Sequence, residues 1–204
     1  RAEGRPAIVA TFEPHPVRYF KPDAEPFRLT TLEQRGELFA AAGADAMLVL
    51  HFDEAIASMS AERWVRDMIH DHLGVVGITT GEDFTFGKDR SGSANSLRAF
   101  GEPLGISTRA ISGIVDADGP ISSSRIRAAL HAGDCPLATQ LLTRPFAIRG
   151  TVQHGDKLGR TIGFPTANLA LGGYLRPRYG IYAVTGKLPD GRVLAGAANM
   201  GIRP

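Results

Sequence analysis

The sequence predicts an α/β domain built on a parallel sheet, followed by a smaller antiparallel β unit. Two observations lead to this fold class. In the first two thirds of the 204 residues, short apolar runs alternate with segments whose apolar residues recur at helical spacing. This is the pattern of parallel strands joined by helical crossovers. Beyond about residue 145 the chain is interrupted by Gly and Pro and carries extended runs without a helical pattern, which is typical of a small antiparallel barrel or sandwich.

The alternating part contains signals for individual elements. Thr31 is a favourable N-cap, with Gln34 at the matching capping-box position, for a helix that ends near Gly43. Ser60 begins a second helix whose apolar residues recur every 3.6 positions as far as Leu73. Further helices are predicted at residues 96–100, 122–132 and 135–142. Strands are predicted at residues 7–12, 46–52, 75–80 and 107–111, and later extended runs at 147–153, 181–185 and 193–198. The first two strands are almost wholly apolar, so we expect them to be covered on both faces.

The composition excludes several classes of protein. With 43% hydrophobic and 22% charged residues, the chain has enough apolar surface for a core, which argues against intrinsic disorder. No apolar run reaches the length needed to cross a bilayer. The single cysteine, Cys135, cannot form an internal disulfide, which is typical of a protein of the reducing cytoplasm.

Charge is divided unevenly along the chain. The formal net charge is +2, but from Phe146 onward there are 8 Lys and Arg against 2 Asp and Glu, while the preceding residues have 15 against 19. A basic C-terminal part joined to an acidic body indicates two domains, the smaller of which faces anions. With Arg144-Pro145 as the boundary, we predict domains at residues 1–145 and 146–204.

Two polar loops follow predicted strands, where ligands of parallel sheets bind. In the first, Pro14 and Pro16 stiffen the chain on either side of His15, and a rigid surface turn explains this pattern as well as a binding loop does. The second loop, residues 81–92, contains Phe84 and Phe86 two positions apart, with Lys88 and Arg90 nearby. If the loop is extended, both rings share a face and can pack on a planar ligand; otherwise they fix the loop to the core.

Residues 121–127 combine serines with arginine at a predicted helix start. Hydroxyls and free backbone N–H groups at a helix N-terminus form a cradle for phosphate, and Arg127 lies one turn in, where its guanidinium can bind phosphate oxygens. Arg125 and Arg127 are two positions apart and do not share a helix face. The alternative is a structural N-cap, since serine caps helices frequently.

The segment 155–168 is rich in glycine and basic residues and ends in a hydroxyl and an amide. Thr166 and Asn168 point the same way in an extended segment and offer two neutral oxygens to a hard cation such as Mg²⁺. The segment is not a Walker A loop, because the Gly-Lys-Ser/Thr ending is absent.

In this order the motifs closely resemble those of the prokaryotic bifunctional riboflavin kinase/FAD synthetase (FMN adenylyltransferase) family. The resemblance covers nearly the whole chain and is carried by the segments TFEPHP, GEDFTFGKDRSG, ISSSRIR, LLTRP, GRTIGFPTAN, GIYAV and ANMGIRP. This sequence departs from the family pattern at Glu13 (usually Asp), Ser124 (usually Thr) and Thr143 (usually Gly). The first two keep the chemistry, and the third falls in the interdomain connection, whose geometry we expect it to alter.

The resemblance implies a Rossmann-like nucleotidyltransferase domain with a parallel sheet, followed by a small antiparallel β-barrel riboflavin kinase domain that is incomplete in this sequence. The kinase would phosphorylate riboflavin to FMN with ATP. The first domain would adenylylate FMN to FAD and release pyrophosphate. Neither step needs a protein nucleophile, so both depend on positioning and charge neutralisation.

The resemblance also implies roles for single residues. The catalytic residues, which hold nucleotide phosphates, would be Ser123, Ser124 and Arg127. The flavin would be bordered by Pro14, His15, Pro16, Asp83, Phe84 and Phe86. ATP of the kinase would be bound by Gly159, Arg160, Thr166 and Asn168, and Thr166 and Asn168 would ligate Mg²⁺. The expected cofactors and substrates are therefore ATP, Mg²⁺, riboflavin, FMN and FAD.

Two parts of the family pattern are absent from these 204 residues. They are an opening Gly-x-Phe-Asp-Gly-x-His-x-Gly-His segment and a downstream catalytic Glu of the kinase. We therefore expect this stretch by itself to catalyse neither reaction. Loss of the strand before the histidine segment should leave an exposed edge or a gap in the sheet.

Two other functions stay open at this point. A non-catalytic relative would bind flavin or nucleotide without turnover. A nucleic-acid-binding protein would need clustered cations with exposed aromatics, of which Tyr174 and Tyr179 with Arg176 and Arg178 are a faint version. We expect small-molecule substrates, no nucleic-acid or membrane partner and a cytoplasmic location, with homo-oligomerisation left open.

Overall fold

A computed structural model describes residues 4–153 and 166–201, and the chain divides into two compact units. The first unit contains Arg1–Ala24 and Phe39–Ile121, and the second contains Glu25–Leu38 and Ser122–Pro204. A short N-terminal segment thus belongs with the C-terminal part of the chain. The domain boundary after residue 145 stays a prediction.

The helices and strands follow the predicted order. The helices are α1 (Pro16–Phe20), α2 (Leu32–Ala41), α3 (Glu54–Ser58), α4 (Ala61–Arg63, continued as a π-helix over Trp64–His72), α5 (Ala94–Gly101), α6 (Ser123–Ala132) and α7 (Cys135–Leu142). The strands are β1 (Ile8–Glu13), β2 (Ala46–His51), β3 (Gly77–Gly81), β4 (Thr85–Phe86), β5 (Gly92–Ser93), β6 (Ser107–Ile111), β7 (Val115–Asp116), β8 (Gly119–Pro120), β9 (Val152–Gln153), β10 (Asn168–Leu169), β11 (Gly180–Lys187) and β12 (Val193–Met200). Within the described ranges, no helix is long and apolar enough to span a membrane.

In the first unit the parallel strands form two separate pairs. β1 pairs with β2, and β3 pairs with β6, which confirms the predicted parallel arrangement with strand ends within two residues of those predicted. No strand in the described residues joins one pair to the other. The predicted burial of the first two strands on both faces is wrong, because Ile8 is 56% and Val49 is 41% exposed. These apolar side chains therefore face solvent.

The core of the first unit is built around the helix that Ser60 begins. The Ser60 hydroxyl accepts the backbone N–H of Arg63 at 3.2 Å, as expected of an N-cap. The π geometry that starts at Trp64 was not indicated by the 3.6-residue pattern. Trp64 and Val65 are buried and belong to one apolar cluster with Leu97 and Phe86.

Gly92, at the start of β5, is buried against this cluster. A Cβ atom at this position would lie 2.8 Å from the Phe86 ring and 2.9 Å from the Cβ of Ala61. Glycine is therefore required here by close packing. Gly87 differs, since its φ of 73° also lies in the region that favours glycine.

In the second unit, α6 and α7 pack against each other. Their buried residues Ile126, Leu130 and Leu141 form one cluster with Leu175, so the segment before β11 contributes to the same core as the helices. The bounds predicted for both helices are confirmed within one residue.

The strands of the second unit form two antiparallel pairs, β9 with β10 and β11 with β12. The described strands do not form a closed sheet. The first unit also contains two short antiparallel pairs, β4 with β5 and β7 with β8. The observed architecture is accordingly a mixed α/β fold, with parallel pairs in the first unit and antiparallel pairs in both units.

Thr143, where the family resemblance leads us to expect glycine, follows α7. Its φ of 58° and ψ of 15° are left-handed, a conformation that glycine adopts without the steric cost of a Cβ atom. The Thr143 hydroxyl donates to the Leu142 carbonyl at 2.7 Å. The substitution thus places a strained residue in a turn suited to glycine.

Replacing Gly92 by alanine should destabilise the first unit by roughly 1–3 kcal/mol, because the added methyl group overlaps Phe86 and Ala61. Trp64 is the only tryptophan of the sequence and packs on Phe86 with ring centroids 4.8 Å apart. Its fluorescence during urea unfolding therefore reports on this cluster directly.

The matched control for this experiment is Gly113→Ala, since a Cβ at Gly113 would meet nothing within 4 Å. Its effect should stay within about 0.5 kcal/mol. Equal unfolding midpoints for the two variants would contradict the packing requirement at Gly92.

Candidate functional site

The first predicted loop is a capping turn. His15 is the N-cap of α1, and its Nδ1 accepts the backbone N–H of Val17 at 3.1 Å. In a neutral imidazole the proton then lies on Nε2. Pro14, His15 and Pro16 are half-buried, and the Glu13–Pro14 peptide is cis. The rigid turn considered as the alternative is therefore present, while flavin binding by these residues stays a prediction.

In the second loop, Phe84 and Phe86 lie on the same side of the chain. Their rings stack with centroids 5.6 Å apart and planes 16° apart. Phe86 is buried at 8% exposure and packs on Trp64, whereas Phe84 is partly buried at the edge of the cluster and Asp83 is exposed. Phe86 fixes the loop to the core, so of these three residues Phe84 and Asp83 are the ones better exposed to a ligand.

The far end of this loop has an unusual backbone. Asp89 and Arg90 both have positive φ values, 55° and 57°, which non-glycine residues adopt infrequently. The Arg90 Nε donates to the Thr85 hydroxyl at 3.1 Å, and this bond ties the turn back to β4. Such local strain is concentrated at binding sites of proteins.

The three serines at the start of α6 differ in their positions: one is the N-cap and two lie in the first turn. Ser122 is the N-cap, and its hydroxyl accepts the backbone N–H of Arg125 at 3.3 Å. Ser123 and Ser124 follow in the first turn and are exposed. Their hydroxyls therefore lie at the positive end of the helix dipole, where an anion is favoured.

Arg127 is held by Phe27, a residue that lies 100 positions away in the sequence. Its Nε donates to the Phe27 carbonyl at 2.9 Å, and its guanidinium carbon lies 5.4 Å from the centre of the Phe27 ring. Burial lowers the pKa of the Arg127 guanidinium, which nevertheless stays protonated because arginine titrates far above neutral pH. No pattern in the sequence pointed to Phe27.

The predicted ATP and Mg²⁺ residues are described only in part. Gly159 and Arg160 lie outside the described residues. Asn168 is partly buried and pairs with Gln153 at the start of β10, and Thr166 is exposed two positions before it. Their oxygens are neutral donors of the kind that Mg²⁺ accepts.

A buried hydrogen-bond network lies at the centre of the second unit. The Gln34 side-chain oxygen accepts the backbone N–H of Thr31 at 2.9 Å and the Tyr174 hydroxyl at 2.5 Å, and its side-chain nitrogen donates to the Ala147 carbonyl at 3.0 Å. The backbone N–H of Arg149 donates to the same Tyr174 hydroxyl at 3.1 Å. The capping box predicted at Thr31 and Gln34 is confirmed, but its extension to Tyr174 was missed.

An ion pair lies beside this network. Arg149 binds Glu37 with two bonds of 2.8 Å, and its Nη1 is 3.5 Å from a carboxylate oxygen of Glu33. The hydrogen bond from Arg149 holds the pKa of the Glu37 carboxyl below its ordinary value, and the same bond raises the pKa of Arg149. Part of the basic excess of the C-terminal part is thus matched by acidic residues of α2.

The residues considered for nucleic-acid binding do not form a stacking surface together. Tyr174 is 4% exposed and hydrogen-bonded within the network above. Arg176, Arg178 and Tyr179 instead line a groove of about 350 Å³ with His131. Glu25 lines the same groove. A single exposed tyrosine beside a carboxylate is a weak basis for binding single strands.

Two protein-family models match this chain. The model of FAD synthetase matches residues 1–125, and the model of riboflavin kinase matches residues 142–204. Ser123 and Ser124 fall inside the first match, and Thr166 and Asn168 fall inside the second.

Curated relatives carry both functions in their names. The chain is 39% identical over 204 residues to the bifunctional riboflavin kinase/FMN adenylyltransferase of Escherichia coli strain K12, covering 100% of this chain and 65% of that protein. A protein of the same name from Pseudomonas fluorescens is 40% identical over 202 residues, covering 98% and 64%. The chain therefore spans about 65% of the length of these relatives. The predicted resemblance is confirmed.

A solved structure has the same fold. It is described as a macrolide-efflux protein from Streptococcus pneumoniae, with a TM-score of 0.84 and 30% identity, and the match covers 98% of this chain and 65% of that one. The efflux description applies to that protein, and its similarity to this chain is one of fold and sequence.

Replacing Tyr174 by phenylalanine should destabilise the second unit by roughly 1–3 kcal/mol. The change removes one hydroxyl and leaves the backbone N–H of Arg149 and an acceptor site of buried Gln34 without their partner. Urea unfolding followed by far-ultraviolet circular dichroism measures this loss.

Tyr179→Phe provides the comparison, because Tyr179 lies in the same unit and is 54% exposed. It should leave the unfolding midpoint nearly unchanged. A Tyr174→Phe variant as stable as Tyr179→Phe would show that the network contributes nothing to stability.

Proposed function

The chain belongs to the FAD synthetase family, whose model matches residues 1–125, and on this premise we propose that it is part of a bifunctional flavin enzyme. One activity phosphorylates riboflavin to FMN with ATP. The other adenylylates FMN with a second ATP, giving FAD and pyrophosphate. The riboflavin kinase match over residues 142–204 supports the first activity.

The observation that carries the adenylylation proposal is the arrangement at the start of α6. Exposed hydroxyls of Ser123 and Ser124 lie in the first turn, and Arg127 follows one turn later with its guanidinium fixed by Phe27. Free N–H groups, hydroxyls and a fixed guanidinium together suit the polyphosphate of a nucleotide.

In the proposed adenylyl transfer, a phosphate oxygen of FMN attacks the α-phosphorus of ATP. The bond between that phosphorus and the bridging oxygen breaks, and pyrophosphate leaves with the bonding electron pair. Ser123 and Ser124 would donate hydrogen bonds to phosphate oxygens, and Arg127 would offset the negative charge that is concentrated in the transition state. No protein nucleophile takes part.

We propose that the flavin is bordered by Pro14, His15 and Pro16 and by Asp83, Phe84 and Phe86. The stacked rings of Phe84 and Phe86 support this role, since Phe86 fixes the loop and Phe84 offers a ring at the edge of the core. The capping bond of His15 gives its loop a defined shape before any ligand binds.

For the kinase reaction we propose that Thr166 and Asn168 ligate Mg²⁺ and that Gly159 and Arg160 bind the phosphates of ATP. Two neutral oxygens suit a cation that is held mainly by nucleotide phosphates. When bound, Mg²⁺ neutralises phosphate charge. The antiparallel pairs of the second unit are consistent with the proposed small β-barrel domain, and the parallel pairs of the first with a Rossmann-like domain.

The substrates we propose are small molecules, namely riboflavin, FMN and ATP, with no nucleic-acid or membrane partner and a cytoplasmic location. The second candidate is a non-catalytic relative that binds flavin or nucleotide without turnover.

The test is to incubate the full-length parent protein with riboflavin, ATP and Mg²⁺ and to separate the flavins by chromatography. Accumulation of FMN and then FAD supports the proposal. If flavin binds but neither product forms, the non-catalytic alternative is correct.

Two substitutions separate the activities. Arg127→Ala should reduce conversion of FMN to FAD by about 100-fold or more, because a charge that stabilises the transition state is lost, and should leave riboflavin phosphorylation intact. Asn168→Ala should show the reverse pattern. Loss of both activities in either variant would contradict these assignments.

A further inference from the structure

We propose that Phe27 is a positioning residue for Arg127, holding its guanidinium so that the two terminal nitrogens face the phosphates of the nucleotide. The proposal rests on the proposed adenylyltransferase function. Phe27 acts through Arg127 and does not itself touch the reacting atoms.

Two contacts from one residue fix the guanidinium. The Phe27 carbonyl accepts the Nε–H of Arg127 at 2.9 Å, and the Phe27 ring lies 5.4 Å from the guanidinium carbon. The hydrogen bond restricts rotation about the last bonds of the side chain, and the ring attracts the cation from a second direction. Together they leave the guanidinium little freedom.

These contacts determine which nitrogens of the Arg127 guanidinium are left for a ligand. Nε donates to the Phe27 carbonyl, and within the described residues neither Nη1 nor Nη2 of Arg127 donates a hydrogen bond. A phosphate would therefore be bound end-on through the two terminal nitrogens, which is a bidentate arrangement. Since Arg127 is partly buried, binding costs less side-chain entropy than it would from a mobile surface arginine.

Phe27 is itself held in place by its neighbour. The backbone N–H of Arg28 donates to the Gly173 carbonyl at 3.1 Å, and the backbone N–H of Leu175 donates to the Arg28 carbonyl at 2.9 Å. Tyr174, between these residues, forms the buried bond to Gln34. The position of Phe27 is thus fixed by a segment that matches the riboflavin kinase model.

Partial burial strengthens the cation–π contact between Phe27 and Arg127 relative to the same contact at an exposed site. Phe27 and Arg127 are both partly buried, and a cation–π contact gains strength when water is excluded. A leucine at position 27 would keep the apolar volume and the carbonyl but would lose the π face. Only the orientation of Arg127 should then change, and this permits a selective test.

The test compares Phe27→Leu, Phe27→Tyr and Phe146→Leu in the full-length parent enzyme. Phe27→Leu should lower kcat for conversion of FMN to FAD about fivefold, which corresponds to the loss of one partly desolvated cation–π contact. Riboflavin phosphorylation should be unchanged. Phe27→Tyr keeps the π face and should retain the wild-type rate.

Phe146→Leu is the matched control. Phe146 is partly buried in the same unit and contacts the Tyr174 ring, with centroids 6.3 Å apart. If loosening of the second unit were the cause, Phe146→Leu would lower FAD formation as much as Phe27→Leu does, and the proposal would be wrong. An unchanged kcat in Phe27→Leu would overturn it as well.

An NMR measurement that needs no catalysis tests the positioning role separately from the proposed function. In ¹⁵N NMR spectra the Nε–H signal of Arg127, assigned with Arg127→Lys, should be displaced by the ring current of Phe27, and the displacement should disappear in Phe27→Leu and persist in Phe27→Tyr. If the wild-type enzyme makes no FAD, the proposed function fails. If it makes FAD while the Arg127 signal and kcat are unaffected by Phe27→Leu, the positioning role alone fails.

Discussion

The second unit depends on the hydrogen bond between buried Gln34 and Tyr174. A carboxamide that is 8% exposed must have its oxygen and nitrogen satisfied, because a buried polar group without a partner costs more than the bond itself yields. Gln34 meets this requirement by three bonds, to Thr31, Tyr174 and Ala147. The bonds to Tyr174 and Ala147 tie α2 to two segments of the later chain.

The site on α6 follows from these bonds. Because Gln34 and Arg28 are both bonded to the segment around Tyr174, Phe27 is brought next to Arg127. Arg127, which follows the 1–125 match of the FAD synthetase model, is thus oriented by Phe27, and Phe27 is held through its neighbour Arg28 by a segment that the riboflavin kinase model matches. In physical terms, the proposed adenylyl-transfer arginine depends on contacts that a separate nucleotidyltransferase segment would lack.

Local signals in the sequence predicted the elements well. Caps at Thr31, Ser60 and Ser122 and strands at residues 46–52 and 107–111 depend on neighbouring residues, and all are present. The π-helix from Trp64 was missed, since it depends on tertiary packing. For Phe86 the sequence left two alternatives open, and the structure shows the one in which the ring packs into the core. The contacts from Phe27 to Arg127 and from Tyr174 to Gln34 join residues 100 and 140 positions apart, which no periodicity reveals.

Native-state hydrogen exchange of the second unit tests the central claim that the segment around Gln34 and the segment around Tyr174 form one cooperative structure. The amides of Arg28, Arg149 and Leu175 each donate across this structure. They should therefore open with one common free energy, and Tyr174→Phe should lower it equally for all three. An Arg28 amide that exchanges independently of Leu175, or that is unaffected by the substitution, would contradict the claim.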